Sequence, residues 1–131
     1  MNTGFAHLNL ALGWLWILLG FVTGMVLGMF FHRENWLGGY ASFKRRMYRL
    51  GHISFFGLGV VNLLFWITTK HLSVPNAMLG CASSLFLIGA ITMPICCVVM
   101  ARFPKLHMVF AVPVISLLTA GTLTLLEVIK S

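Results

Sequence analysis

Four runs of apolar residues, Leu8 to Phe31, Gly51 to Thr69, Ala77 to Met100 and His107 to Ile129, occupy most of this chain and are joined by short links. Each run is close to the roughly 20 residues that a helix needs to cross a hydrocarbon core about 30 Å thick. In lipid every backbone N–H and C=O has to be satisfied within the structure, which leaves helices and closed barrels as the spanning forms. Barrel strands alternate in polarity over segments of roughly ten residues, and that alternation is missing here. The expected fold class is therefore all-α: a polytopic integral membrane protein, with four transmembrane helices packed as one bundle over residues 1–131.

A water-soluble alternative fails on composition. Of 131 residues, 60% are hydrophobic and 8% are charged, and the mean hydropathy is +0.98. Ordinary soluble domains carry about 25% charged residues. There is too little polar surface here to cover a globule. The opening segment MNTGFAH has no Lys or Arg, and the run after it exceeds the roughly 7–15-residue core of a signal peptide. It is expected to remain as a membrane anchor.

Nine Lys and Arg against two acidic residues give a net charge of +7, which in a soluble protein would suggest nucleic acid. Here the cations are placed by topology. Arg33, Lys44, Arg45, Arg46 and Arg49 fall in the link after the first span and Arg102 and Lys105 in the link after the third, whereas the other side has Lys70 and Lys130. The positive-inside rule then puts both basic links in the cytoplasm and both termini on the non-cytoplasmic side, as in a bacterial inner membrane. Anionic lipid headgroups, not nucleic acid, are the expected partners of that basic face. Trp36, Tyr40 and Tyr48 fit the inner interface and Trp66 the outer one.

Residues 34–50 form the longest link, and Trp36, Tyr40, Phe43, Met47 and Leu50 recur in it at helical spacing with cations between them. That pattern predicts a short amphipathic helix lying along the inner headgroups after the Gly38-Gly39 break. Pro75 suits a helix start, with Ser73 as its cap. Pro94 and Pro113 fall inside the third and fourth spans. Each is expected to kink its helix and free a carbonyl one turn earlier, for which Thr92, Ser116 and Thr119 are candidate donors.

Lipid supplies no hydrophobic drive for helix association, so small residues mark the packing faces. Gly20, Gly24 and Gly28 form two overlapping GxxxG units on one face of the first span, with shorter pairs at Gly80/Ser84 and Ser116/Ala120. Asn62 stands alone as a deep amide, near the middle of the second span, and is expected to face another helix or a cofactor.

Five histidines in so apolar a chain sort into two sets. His7 and His71 belong to the outer edge; His32, His52 and His107 fall at the inner edge. Two imidazoles from different membrane helices can clamp a b-type haem. His52 and His107 are the natural pair if the second and fourth helices face each other. Phe55, Phe56 and Gly59 then offer a packing surface, and Arg45, Arg46, Arg49 and Lys105 are placed for haem propionates or lipid headgroups. Histidine at a membrane interface also sits at headgroup level without any ligand. His32 is a weaker third ligand for a zinc or copper site, because no carboxylate or cysteine completes the set. Met25, Met29, Met93 and Met100 are dispersed in separate helices as gap fillers and do not suggest copper handling.

Cys81, Cys96 and Cys97 all lie in one span, where neither a disulfide framework nor a CxxC pair can form. The two carboxylates, Glu34 and Glu127, lie at span ends, whereas transporters and proton relays keep an ionisable group at mid-membrane. No catalytic triad, HExxH or phosphate-binding glycine loop occurs. The function expected first is a non-catalytic accessory or structural subunit of a larger integral membrane assembly, of the respiratory or photosynthetic electron-transfer kind. The alternative is a haem b- or quinone-binding membrane anchor at His52 and His107, and after that a small channel or transporter.

Overall fold

The computed structural model describes residues 4–72 and 77–131 and, over these, is all-helical. Four helices are long and apolar enough to cross a membrane: α1 (Gly4–Phe30), α2 (Phe43–His71), α3 (Ala77–Arg102) and α4 (Ala111–Lys130), the last preceded by a 3₁₀ segment, Pro104–Phe110. Large apolar side chains such as Phe21, Leu118 and Ile129 stand on the outside, a surface that suits hydrocarbon and not water. The expected cap Ser73 and helix start Pro75 lie outside the described residues.

Each helix packs mainly on its neighbour in sequence, α1 on α2, α2 on α3, and α3 on α4. Short links make this the accessible arrangement. α3 is the most enclosed of the four. Its Leu79, Ala82 and Phe86 join Phe65 of α2 and Ala120 of α4 in the apolar core. Gly89 of α3 receives Leu117 of α4, whose Cδ2 would lie 2.5 Å from any added Cβ.

The basic run after the first span is the start of α2 and not a separate helix along the headgroups. Leu37, Gly38 and Gly39 all have positive φ, at 56°, 85° and 93°, so the chain reverses there after a single 3₁₀ turn, Trp36–Gly38. Ser42 then caps α2: its Oγ accepts the Arg45 N–H at 3.2 Å. A serine cap followed by good helix formers outweighs the interfacial periodicity of residues 34–50. α2 is thus 29 residues long, about 43 Å at 1.5 Å per residue, and its basic first turns extend past the length a hydrocarbon core covers.

The two prolines behave differently from each other, and Pro113 differs from expectation. Pro113 lies in the first turn of α4, where a helix has no use for that N–H, so it does not interrupt the helix. Four residues earlier, the Val109 carbonyl accepts the Cys96 thiol at 3.3 Å. Pro94 does lie inside α3 and leaves the Ala90 carbonyl without its helical donor. That carbonyl accepts the Trp16 indole N–H of α1 at 2.9 Å. Thr92 is not the donor; its hydroxyl bonds to the Ile88 carbonyl at 2.7 Å.

A polar node holds α1, α2 and α3 together. Asn9 of α1 donates to the Asn62 carbonyl oxygen at 2.8 Å and, at 3.4 Å, to the Ser83 backbone oxygen. The Ser83 hydroxyl donates to the Asn9 side-chain oxygen, and Asn62 donates to the Leu58 carbonyl at 2.8 Å. Asn9 and Asn62 are fully buried. Asn62 therefore meets another amide, on a residue near the start of α1.

Replacing Asn62 with Leu removes the nearer of the two acceptors of the Asn9 amide in an apolar site and is expected to cost about 0.6–2 kcal/mol. The Asn9→Leu, Asn62→Leu double variant should recover part of that loss, since both amides are then gone and the Ser83 hydroxyl keeps the Phe5 carbonyl, 3.4 Å away, as an acceptor. Equilibrium unfolding of the two variants in mixed detergent checks both outcomes.

Candidate functional site

α1 and α3 run parallel with α2 between them, and side-chain bonds join them at two levels. Ser83 meets Asn9, and one heptad further along both helices Trp16 meets Ala90. Beyond that level the two helices separate. The gap is a cavity of about 670 Å³, walled by Leu19, Val26 and neighbours on α1 and by Ile91, Ile95 and Val98 on α3. Its floor is α2, with Gly51, His52 and Phe55; Trp16 closes it at the tied end, and Met47 and Tyr48 mark the basic end. The volume falls within the roughly 300–1,000 Å³ of small-molecule sites.

His52 is the one imidazole among the lining residues, which apart from it, Thr23 and Tyr48 are apolar. Its Nδ1 lies 3.0 Å from the Thr23 hydroxyl of α1, and its ring meets Phe56 edge-on at 5.5 Å between centroids. The ring rests on Gly24: an added Cβ there would lie 2.8 Å from His52 Cε1. Gly20 in turn accommodates the Phe56 ring, 2.8 Å from an added Cβ. The glycine ridge of α1 is thus a set of notches for aromatic rings of the same chain. A tight backbone approach lies elsewhere, at Gly59, whose added Cβ would lie 2.9 Å from the Gly13 carbonyl oxygen. Gly28 meets nothing within 4 Å.

The structure does not bring the other expected ligands to His52. His107 is exposed on the 3₁₀ segment Pro104–Phe110, which packs on α3 and α4. The expected pairing needed α2 to face α4, whereas α3 stands between them. His32 is exposed just past α1. Among the described residues, no group of three or more His, Cys, Asp or Glu is arranged to hold a metal ion.

The cations divide as well. Arg45 is only 3% exposed and lies over the rings of Phe31, Trp36 and Tyr40, with its guanidinium carbon 5.3–5.7 Å from their centroids. It also donates to the Phe31 carbonyl at 3.4 Å. This cage is the cation–π arrangement that Arg favours, and it fastens the link between α1 and α2 to the start of α2. Arg45 is therefore turned away from any headgroup or propionate. Arg49 stacks on Tyr40 at 4.2 Å, while Arg46 and Lys105 are exposed and accessible to anions.

Two residues of this site were hidden in the sequence. Thr23 is one of many hydroxyls in apolar runs, and Trp16 resembles any aromatic residue of a membrane helix; each becomes visible only when the helices are in register. The chain matches none of the protein-family models, curated proteins or solved structures compared with it.

Because His52 rests on Gly24 and Gly28 faces open space, the two glycines should differ sharply on substitution. Gly24→Leu is expected to displace the imidazole and lower stability by about 1–3 kcal/mol, the usual cost of overpacking. Gly28→Leu should stay within about 0.5 kcal/mol. Thermal unfolding of the purified variants in mild detergent makes the comparison.

Proposed function

We propose that this chain is a small integral membrane subunit that takes a lipophilic ring of the quinone class into the cavity between α1, α2 and α3, beside His52. One observation carries the proposal: a single oriented imidazole in an apolar cavity between helices. Small-molecule sites of this kind use apolar walls for affinity and a few polar groups for orientation. An aromatic or quinonoid ring suits the flanking Phe55 and Trp16, and entry from hydrocarbon suits a ligand that lives there.

Quinone chemistry needs an electron donor or acceptor, so the accessory role is retained: a partner integral membrane subunit would supply the redox centre. Haem fits less well, because His52 alone faces the cavity and His107 is outside it. The basic ends of the helices support an orientation with residues 31–50 and 102–110 in the cytoplasm and both termini outside, in a bacterial inner membrane. Exposed Arg33, Lys44, Arg46, Arg102 and Lys105 would then meet anionic headgroups.

A single-tryptophan variant that keeps Trp16 places a reporter in the cavity wall. Titration with a short-tailed benzoquinone, and separately with its hydroquinone, is expected to give saturable quenching for at least one form. His52→Leu should weaken that binding about tenfold, as for the loss of one buried hydrogen bond. Quenching by both forms that rises linearly without saturation, as from partition into detergent, would oppose the proposal.

A further inference from the structure

We infer that the His52 site selects the reduced, hydroxyl-bearing form of its ring ligand, because Thr23 fixes the imidazole in the tautomer that offers a lone pair to the cavity. The inference rests on the ligand class proposed above and adds which oxidation state is preferred. Thr23 has one hydroxyl proton and three neighbours for its oxygen: the Leu19 carbonyl at 2.7 Å, the Gly20 carbonyl at 3.2 Å and His52 Nδ1 at 3.0 Å. The shortest contact, to a carbonyl one turn back in its own helix, takes the proton; this is the common back-bond of a membrane threonine. The hydroxyl oxygen is then an acceptor toward His52.

It follows that Nδ1 carries the ring proton and donates to Thr23. A neutral imidazole has one N–H, so Nε2 is left as an acceptor; it lies 3.3 Å from the position of an added Cβ at Gly24, on a side chain that lines the cavity. An acceptor in an apolar cavity bonds an O–H group, such as the hydroxyl of a hydroquinone, and repels the carbonyl oxygen of a quinone. The tautomer of a histidine is set by the bond its other nitrogen makes. A hydroxyl in the next helix is enough to set it here. Tyr48 is the other lining residue with an O–H able to hold a carbonyl in place of His52.

The test uses the full chain in detergent micelles with three ligands of one ring: the hydroquinone, its dimethyl ether, which lacks O–H groups, and the quinone. The hydroquinone is expected to bind about tenfold more tightly than either of the others, the effect of one buried hydrogen bond. Thr23→Val should reduce that preference to within about threefold, and Thr23→Ser should keep it. Nitrogen-15 spectra of the ligand-free chain provide a second readout, with His52 Nε2 expected unprotonated and Nδ1 protonated. Quinone binding as tight as hydroquinone binding, or a protonated Nε2 in the spectrum, would overturn the inference while leaving the cavity's ligand class standing. Failure of all three compounds to bind would remove both.

Discussion

A carboxamide placed in an apolar interior is costly unless its donors and acceptor are met, and among the described residues two of them, Asn9 and Asn62, are buried against each other. Because Ser83 completes the set, one node fixes the rotation and register of α1, α2 and α3 together. Apolar packing between membrane helices is permissive, since one face of a leucine-rich helix resembles another. Directional bonds between a few polar groups are specific. The arrangement of the three helices depends on that node more than on the larger core around Phe65 and Phe86.

One heptad further on, the same α1–α3 contact is made a second time by different means. Pro94 cannot donate a backbone N–H, so α3 is left with a free carbonyl at Ala90, and the indole of Trp16 fills the vacancy. A defect in one helix thus becomes a tie to another. Past this tie no bond draws α1 and α3 together, and the space between them holds the imidazole of His52, seated on Gly24 and oriented by Thr23. Helices joined at one end and parted at the other give a pocket inside the bundle without breaking any helix. The basic end is closed differently, by the Phe31, Trp36 and Tyr40 cage around Arg45, which keeps the first link folded onto α2.

The four long apolar helices were legible because length and hydropathy alone decide them, and His52 stood out because an imidazole in an apolar run is rare. Their surroundings were harder to read. Asn9 falls only one residue into the first run as its hydropathy delimits it, but α1 begins at Gly4, which carries Asn9 more than a turn inward. The GxxxG spacing was plain, whereas its use by Phe56 and His52 in place of another backbone depends on side chains of α2. The His52–His107 pairing assumed a square bundle. Short links instead set the helices in sequence order, with α3 between α2 and α4. Local capping by Ser42 likewise prevailed over the periodicity of residues 34–50.

The separation of α1 from α3 toward the basic end is the geometric fact from which the cavity and its histidine follow. Spin labels on exposed positions in a cysteine-free background measure it directly, at Leu8 with Ser84 near the tied end and at Val26 with Val98 across the cavity. Val26 with Val98 is expected to give a clearly longer distance than Leu8 with Ser84, with narrow distributions at the tied end. Equal distances, or a shorter one across the cavity, would mean that the helices close over His52 and leave no room for a ring beside it.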